Sequence, residues 1–155
     1  MQISYAPPFF IMNIFLTTSF SSKILPDGTV EPGYKSKVEA VISVLEGKGH
    51  TVMCGMREDG WRLNDQSPTE AFSYDVLSID KADLVVVLLR NNPISAGTQF
   101  ELGYTFALKK GMLVFYQAAD KPIPYINIGL LKQDKVRVME YKTLDDVPDL
   151  LRASV

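Results

Sequence analysis

Hydrophobic residues in this chain form short continuous runs that alternate with segments of helical periodicity. Runs of this length, rich in β-branched and aromatic residues and bounded by polar residues or glycine, are typical of buried strands. They predict five strands, at residues 13–18, 50–54, 84–89, 112–116 and 135–140. Four helices are predicted between and after them, at residues 34–48 and 68–81, in the segment containing Glu101, and at residues 144–151.

The apolar positions of the helices indicate which faces are buried. In the first helix they recur at helical spacing, at Val38, Val41, Ile42 and Leu45. In the second helix, where Pro68 suits the first turn, we expect Phe72, Val76 and Ile79 to face the sheet. Residues 56–67 and 121–129 are rich in polar residues or proline and are predicted as loops.

Strands that alternate with helices predict a parallel sheet with right-handed crossovers and helices on both faces. We therefore predict a single α/β domain over residues 13–155, with a flavodoxin-like, doubly wound, five-stranded parallel sheet. Residues 1–12 are interpreted as an N-terminal extension without an assigned function. In such a sheet, the loops that follow the strands meet at one edge, where ligands bind.

Composition narrows the classes of partner. The 155 residues carry a net charge of −2, which gives no reason to expect the basic face that a nucleic-acid polymer requires. The single cysteine, Cys54, has no internal disulfide partner, so a reducing, cytoplasmic location is expected. No apolar run approaches the roughly 20 residues of a membrane span.

The strongest candidate chemistry follows the third strand. Ser95, Gly97 and Glu101 lie where this strand passes into a helix, and Asp75 lies on the preceding helix. We expect the apolar neighbours of Glu101, namely Phe100, Leu102 and Phe106, to hold its side chain. The alternative is that Glu101 only stabilises the helix, because acidic residues are favoured near helix N-termini. His50 and Cys54 lack partners at metal-ligand spacing, so no metal is predicted.

The pattern Ser95-x-Gly97-x-x-x-Glu101-Leu102-Gly103-Tyr104, preceded by Asp75 and Asp83, resembles the nucleoside 2-deoxyribosyltransferase family over about residues 13–140. That family includes base-exchanging transferases and nucleoside 5′-monophosphate N-glycosidases active in nucleotide salvage. The resemblance implies that Glu101 is the nucleophile, forming a glycosyl-enzyme intermediate as retaining glycosidases do. It also implies that Asp75 orients the sugar and assists the departing base, and that no cofactor is needed.

Three features favour phosphorylated substrates and hydrolysis. Ser95 stands where transferases acting on free nucleosides usually carry an acid, and a serine does not repel phosphate. Phe15 replaces their usual tyrosine, as in related hydrolases of cytidine ribonucleotides, although it is also interpretable as a core residue. A possible anion cradle follows the first strand, at Ser19, Ser21, Ser22 and Lys23; the alternative is a solvated turn.

Asn127 supports the competing interpretation. The segment Tyr125-Ile126-Asn127 resembles a transferase loop that reaches into a neighbouring subunit's site, which implies a homodimer or larger homo-oligomer. The sequence therefore predicts cleavage of the N-glycosidic bond of a nucleoside 5′-monophosphate or nucleoside, with hydrolysis preferred. The alternatives are a base-exchanging transferase acting on free 2′-deoxynucleosides and a non-catalytic nucleotide-binding sensor domain.

Overall fold

The computed structural model describes residues 10–63 and 67–155. Most of the predicted N-terminal extension therefore lies outside the described residues. The five strands are β1 (Asn13–Thr18), β2 (Thr51–Met53), β3 (Leu84–Leu89), β4 (Gly111–Gln117) and β5 (Val136–Tyr141). The α-helices are α1 (Pro32–Gly47), α2 (Gly55–Glu58), α3 (Pro68–Lys81), α4 (Ala96–Ala107), α5 (Tyr125–Leu130) and α6 (Val147–Ser154), with 3₁₀ turns at Ser21–Lys23 and Leu144–Asp146.

The sheet is entirely parallel, and its strand order is β2-β1-β3-β4-β5. This arrangement confirms the predicted flavodoxin-like α/β fold. The chain leaves β1 for one edge of the sheet through β2 and later returns to β3 on the other side of β1. The carboxyl ends of β1 and β3 therefore flank the point at which the strand order reverses, where open sheets of this kind bind ligands.

Alternating residues of the strands build two cores. Ile14, Leu16, Val86 and Leu88 pack with α1 and α6 on one face, whereas Phe15, Val85, Val87 and Leu89 pack with Ile79 of α3 and Leu102 of α4 on the other. The four periodic apolar residues of α1 are all buried, as predicted. Since successive strand residues point to opposite faces, Thr17 and Thr18 at the end of β1 face different sides of the sheet.

The predicted inner face of α3 is only partly correct. Ile79 is fully buried and Val76 is partly buried, but Phe72 is 54% exposed. Its ring packs instead against Phe100 of α4, with ring centroids 5.2 Å apart. Phe72 lies near the start of α3 and contacts the neighbouring helix.

The expected apolar support around Glu101 also needs correction. Leu102 is buried, whereas Phe100 is 43% exposed and Phe106 is 48% exposed. The buried residues of α4 are Thr98, Glu101, Leu102 and Thr105, which follow the helical spacing of one face. Phe100 and Phe106 lie on the other faces of that helix, so they do not hold the carboxylate.

Two predicted loops contain helices. The segment 121–129 contains most of α5, which begins immediately after Pro124, and the segment 56–67 includes part of α2. Both helices are short, so their sequences show too few turns for a hydrophobic period. Among the described residues, no helix is long and apolar enough to cross a membrane.

Candidate active site

A cavity of about 430 Å³ opens at the carboxyl edge of the sheet, beside the end of β1. Its walls come from β1 and the loop after it, from α2, from α3, and from the first turns of α4. Glu101 and Asp75 both line it. The two acids that the sequence singled out therefore share one cavity at the predicted edge.

Glu101 is held inside this cavity by α4 and β1. Helix α4 begins directly after β3, and the Ser95 hydroxyl accepts a hydrogen bond from the Thr98 amide at 3.3 Å, which caps the helix. Glu101 then lies on the inward face of the helix and is only 8% exposed. The hydroxyl of Thr17 donates a hydrogen bond to Oε2 of Glu101, which fixes the orientation of the carboxyl group.

Asp75 approaches Glu101 from α3, and the two carboxyl groups lie close enough to influence each other's pKa. The position of Asp75 leaves no room for a side chain at the start of α2, where the chain has a glycine. A Cβ atom added to Gly55, at the start of α2, would lie 2.7 Å from Oδ1 of Asp75. Gly55 and Thr17 are thus parts of the site that the sequence analysis missed, because each contacts its acidic partner across a long sequence separation.

The surroundings of the two acids favour a shared proton. Burial raises the pKa of Glu101, and the charge of Asp75 raises it further, whereas the bond from Thr17 acts in the opposite direction. Burial is also the main cause that raises the pKa of Asp75. Two carboxyl groups in contact do not readily ionise together. The pair is therefore able to hold one negative charge and one proton near neutral pH.

The structure gathers only some of the remaining candidate residues at this cavity. Phe15, Ser21, Ser95 and Gly97 line it. Ser19 is buried nearby in the chain, and its hydroxyl has no hydrogen-bond partner among the described residues. Ser22 is exposed and is not part of the cavity wall.

Lys23 and Asn127 lie elsewhere. Lys23 lines a separate cleft and forms an ion pair with Glu31 at 3.1 Å. Asn127 lines a third cavity, together with Leu102 and Phe106, and its buried side-chain nitrogen has no partner within the described chain.

The cavity that contains Glu101 and Asp75 (the acidic cavity) is otherwise largely apolar. No hydrophobic period in the sequence had indicated the residues of its walls. Its walls include Phe20, Ile24, Met56, Leu63, Ala71 and Tyr74, with Asp59 as a further acid. Apolar walls beside a pair of carboxyl groups suit a ring system attached to a sugar. In the described ranges, no group of three His, Cys, Asp or Glu side chains is arranged to hold a metal ion.

Comparisons with known proteins identify the family of this chain. The sequence model of the nucleoside 2-deoxyribosyltransferase family matches residues 29–141, which is most of the chain. No curated protein sequence matches it.

Several solved structures share the fold. The CMP N-glycosidase BcmB of Clostridium botulinum is 22% identical, with a TM-score of 0.65, covering 89% of this chain and 96% of its own. BlsM is 22% identical, with a TM-score of 0.76 and coverages of 92% and 88%. A 2-deoxyribosyltransferase of Bacillus psychrosaccharolyticus is 24% identical, with a TM-score of 0.58 and coverages of 88% and 90%. The family match over most of the chain shows that this chain belongs to the nucleoside 2-deoxyribosyltransferase family of N-glycosidic-bond enzymes.

Proposed function

We propose that this protein hydrolyses the N-glycosidic bond of a nucleoside 5′-monophosphate, with Glu101 as the nucleophile and Asp75 as the acid and base. The observation that carries the proposal is that buried Glu101 and half-buried Asp75 share a cavity open at the sheet edge, where Thr17 orients Glu101. A carboxylate held in this way is suited to an electron-poor anomeric carbon, because the transition state resembles an oxocarbenium ion.

In the first step, a carboxylate oxygen of Glu101 bonds to C1′ while the bond from C1′ to the base nitrogen breaks. The bonding electrons go to the base, and the proton held by the pair passes from Asp75 to the departing nitrogen. In the second step, Asp75 takes a proton from water, and the resulting oxygen attacks C1′ and releases Glu101. The products are a free base and a sugar 5-phosphate, with retention at C1′.

The preference for a phosphorylated substrate rests on Ser95, Gly97 and Ser21 at the rim of the cavity. Helix α4 directs the positive end of its dipole and its first amides toward this rim, which favours a phosphate group. The cavity already contains one buried negative charge, so an acid at position 95 would oppose a second one. The unpartnered Ser19 hydroxyl is an additional candidate donor.

Phe15 supports hydrolysis of a ribonucleotide. Its side chain is buried and also lines the cavity, so it supplies an apolar surface with no hydroxyl beside the sugar. We propose that this leaves room for the 2′-hydroxyl of ribose. The neighbour BcmB, which is described as a CMP N-glycosidase, is compatible with this proposal.

A base-exchanging transferase is the second candidate. Helix α5 favours it, because Tyr125 is 93% exposed and Ile126 is 74% exposed beside the buried Asn127. An apolar surface of this kind is suited to a second subunit. We propose a homodimer or larger homo-oligomer, in which α5 meets a neighbouring copy, and a cytoplasmic location consistent with the buried free thiol of Cys54.

The deciding experiment incubates the protein with ribo- and deoxyribonucleosides and their 5′-monophosphates, each with and without an acceptor base. Release of base from a monophosphate without acceptor supports the proposal. Exchange that requires an acceptor supports the transferase, whereas tight binding without turnover across the panel supports a sensor domain.

The role of Glu101 is tested by Glu101→Ala, with Glu39→Ala as the matched control. Loss of the nucleophile should lower turnover by at least about a thousandfold. Glu39 lies on α1, pairs with Lys35 and does not line the cavity, so its replacement should leave turnover unchanged. Retained activity in a folded Glu101→Ala protein would reject the assignment.

A further inference from the structure

A second cleft, of about 310 Å³, lies at the same edge of the sheet but on the side of α1. Its walls include Lys23, Lys37, Arg90, Tyr34, Tyr141 and Thr143. Thr18 lines both this cleft and the acidic cavity. The two sites are therefore neighbours separated by the end of β1.

The charge of this cleft is opposite to that of the acidic cavity. Three of its lining residues are cationic, and none of the described residues in its walls is acidic. Lys23 pairs with Glu31 at 3.1 Å and Lys37 pairs with Asp145 at 3.2 Å, but all four side chains remain substantially exposed. Ion pairs of this kind are weak, so an anion entering the cleft can compete for both lysines.

Arg90 is the strongest feature of the cleft. It follows β3 directly and is partly buried, yet within the described chain it has no hydrogen bond or ion pair. Arg90 lines the same cleft as Tyr34 and Tyr141, and its charge opposes the rise that burial causes in the pKa of both phenols. A guanidinium group offers a planar set of donors that matches two oxygens of a phosphate.

The tyrosines add a neutral donor beside this charge. The Tyr34 hydroxyl lies 2.5 Å from Oγ1 of Thr18 and donates to the Ser19 carbonyl at 3.1 Å, so it is already engaged. The Tyr141 hydroxyl has no hydrogen-bond partner among the described residues. Burial raises the pKa of Tyr141 to about 12, so this hydroxyl keeps its proton at neutral pH and is able to donate it.

We propose that this cleft is a second anion-binding site, which takes the phosphate group of a small phosphorylated molecule or free phosphate. Arg90 binds two phosphate oxygens, Tyr141 donates to a third, and Lys23 and Lys37 neutralise the remaining charge. The site is distinct from the proposed substrate site, because its walls contain neither Glu101 nor Asp75. It does not depend on the proposed reaction.

Titration with inorganic phosphate, followed by amide chemical shifts in nuclear magnetic resonance, tests this proposal without any nucleotide. Saturable shifts are expected at Arg90, Tyr141 and Thr143. Arg90→Gln should weaken this binding by about tenfold or more. Arg137→Gln removes the same charge from the exposed surface of β5, where the Arg137 side chain donates to the Ser154 carbonyl, and should leave binding unchanged.

Lys37→Gln provides a second variant, because this half-exposed lysine is replaceable without disturbing the core. It should weaken phosphate binding by a few-fold and make the binding less sensitive to salt. The proposal is overturned if saturable shifts occur only at Gly97 and Thr98, if no saturable binding is seen at about 10 mM phosphate, or if neither variant changes the affinity.

Discussion

The shared proton of Glu101 and Asp75 predicts how turnover depends on pH. The nucleophile must be ionised and the acid must be protonated, so the pair is active with one proton. Burial raises the pKa of both groups. As the pH is lowered, activity should therefore fall at a pH well above the ordinary pKa range of carboxyl groups. As the pH is raised, activity should fall again when the pair loses its last proton. A bell-shaped profile of kcat/KM, measured with the preferred substrate, checks this. A profile that stays flat from pH 5 to 9 would contradict it.

The burial of Glu101 also predicts that its carboxyl group lowers the stability of the folded protein. A carboxyl group whose pKa is raised by folding contributes less to stability as the pH rises from its unfolded value, about 4, through its folded value. Glu101→Gln keeps a group that accepts from Thr17 and donates to Asp75, and it removes the titration. We expect its melting temperature to exceed that of the wild type by roughly 3 °C or more at pH 8, and by less at pH 5. An equal gain at both pH values would show that charge is not the cause.

Gly55 carries a separate prediction at this scale. In Gly55→Ala the new methyl group meets Oδ1 of Asp75, so Asp75 must move away from Glu101. Displacement of a catalytic group by about 1 Å lowers turnover by as much as a hundredfold. Gly47→Ala is the matched control, because a Cβ atom there meets nothing within 4 Å. Equal activity of the two variants, measured as kcat, would remove Gly55 from the site.

The sequence identified the acids but not the residues that position them. Glu101 and Asp75 were indicated by their places beside the end of the third strand, and the resemblance to a family pattern then implied their roles. Thr17 and Gly55 carry no pattern of their own, because a strand threonine and a glycine at the start of a short helix are ordinary. Their importance arises only when folding brings Thr17 to Glu101, which lies 84 residues away along the chain.

At the scale of elements, the cap of α4 allows a clean test of substrate charge. Ser95 caps this helix, and both Asp and Asn are equally good caps. Ser95→Asp should therefore keep the fold and add a negative charge beside the buried pair. We expect kcat/KM for a monophosphate to fall by about tenfold or more relative to the free nucleoside. Ser95→Asn is the neutral control, and an equal preference in both variants would exclude phosphate from this end of α4.

Elements with a long hydrophobic period or a continuous apolar run were predictable. All five strands and the helices α1, α3 and α4 agree with the sequence analysis to within two residues at the ends it specified. The helices α2 and α5 were missed, because one or two turns give no period and because the prolines before α5 suggested a loop. The rotation of α4 was also misjudged, since Phe100 and Phe106 are as apolar as the buried Leu102 but face outward.

At the scale of the whole molecule, exposed apolar side chains on α4 and α5 predict self-association. Phe106 and Ile126 line one shallow cavity, and Tyr125 projects beside them. Ile126→Asp should convert an oligomer into monomers, because a charge at such an interface is costly to bury. Sedimentation velocity measures this. Leu25→Asp, at a partly exposed position in the loop after β1, is the control and should leave the oligomer intact.

The last two residues of β1 make both clefts depend on the exact length of this strand. Thr17 serves the carboxyl pair on one side of the sheet, and Thr18 meets Tyr34 on the other. Because strand side chains alternate, inserting a single residue before Thr17 would exchange the two hydroxyls between the sides. Relatives that retain both clefts should therefore differ in this strand by substitution, and gain or lose residues only in the loops that flank it.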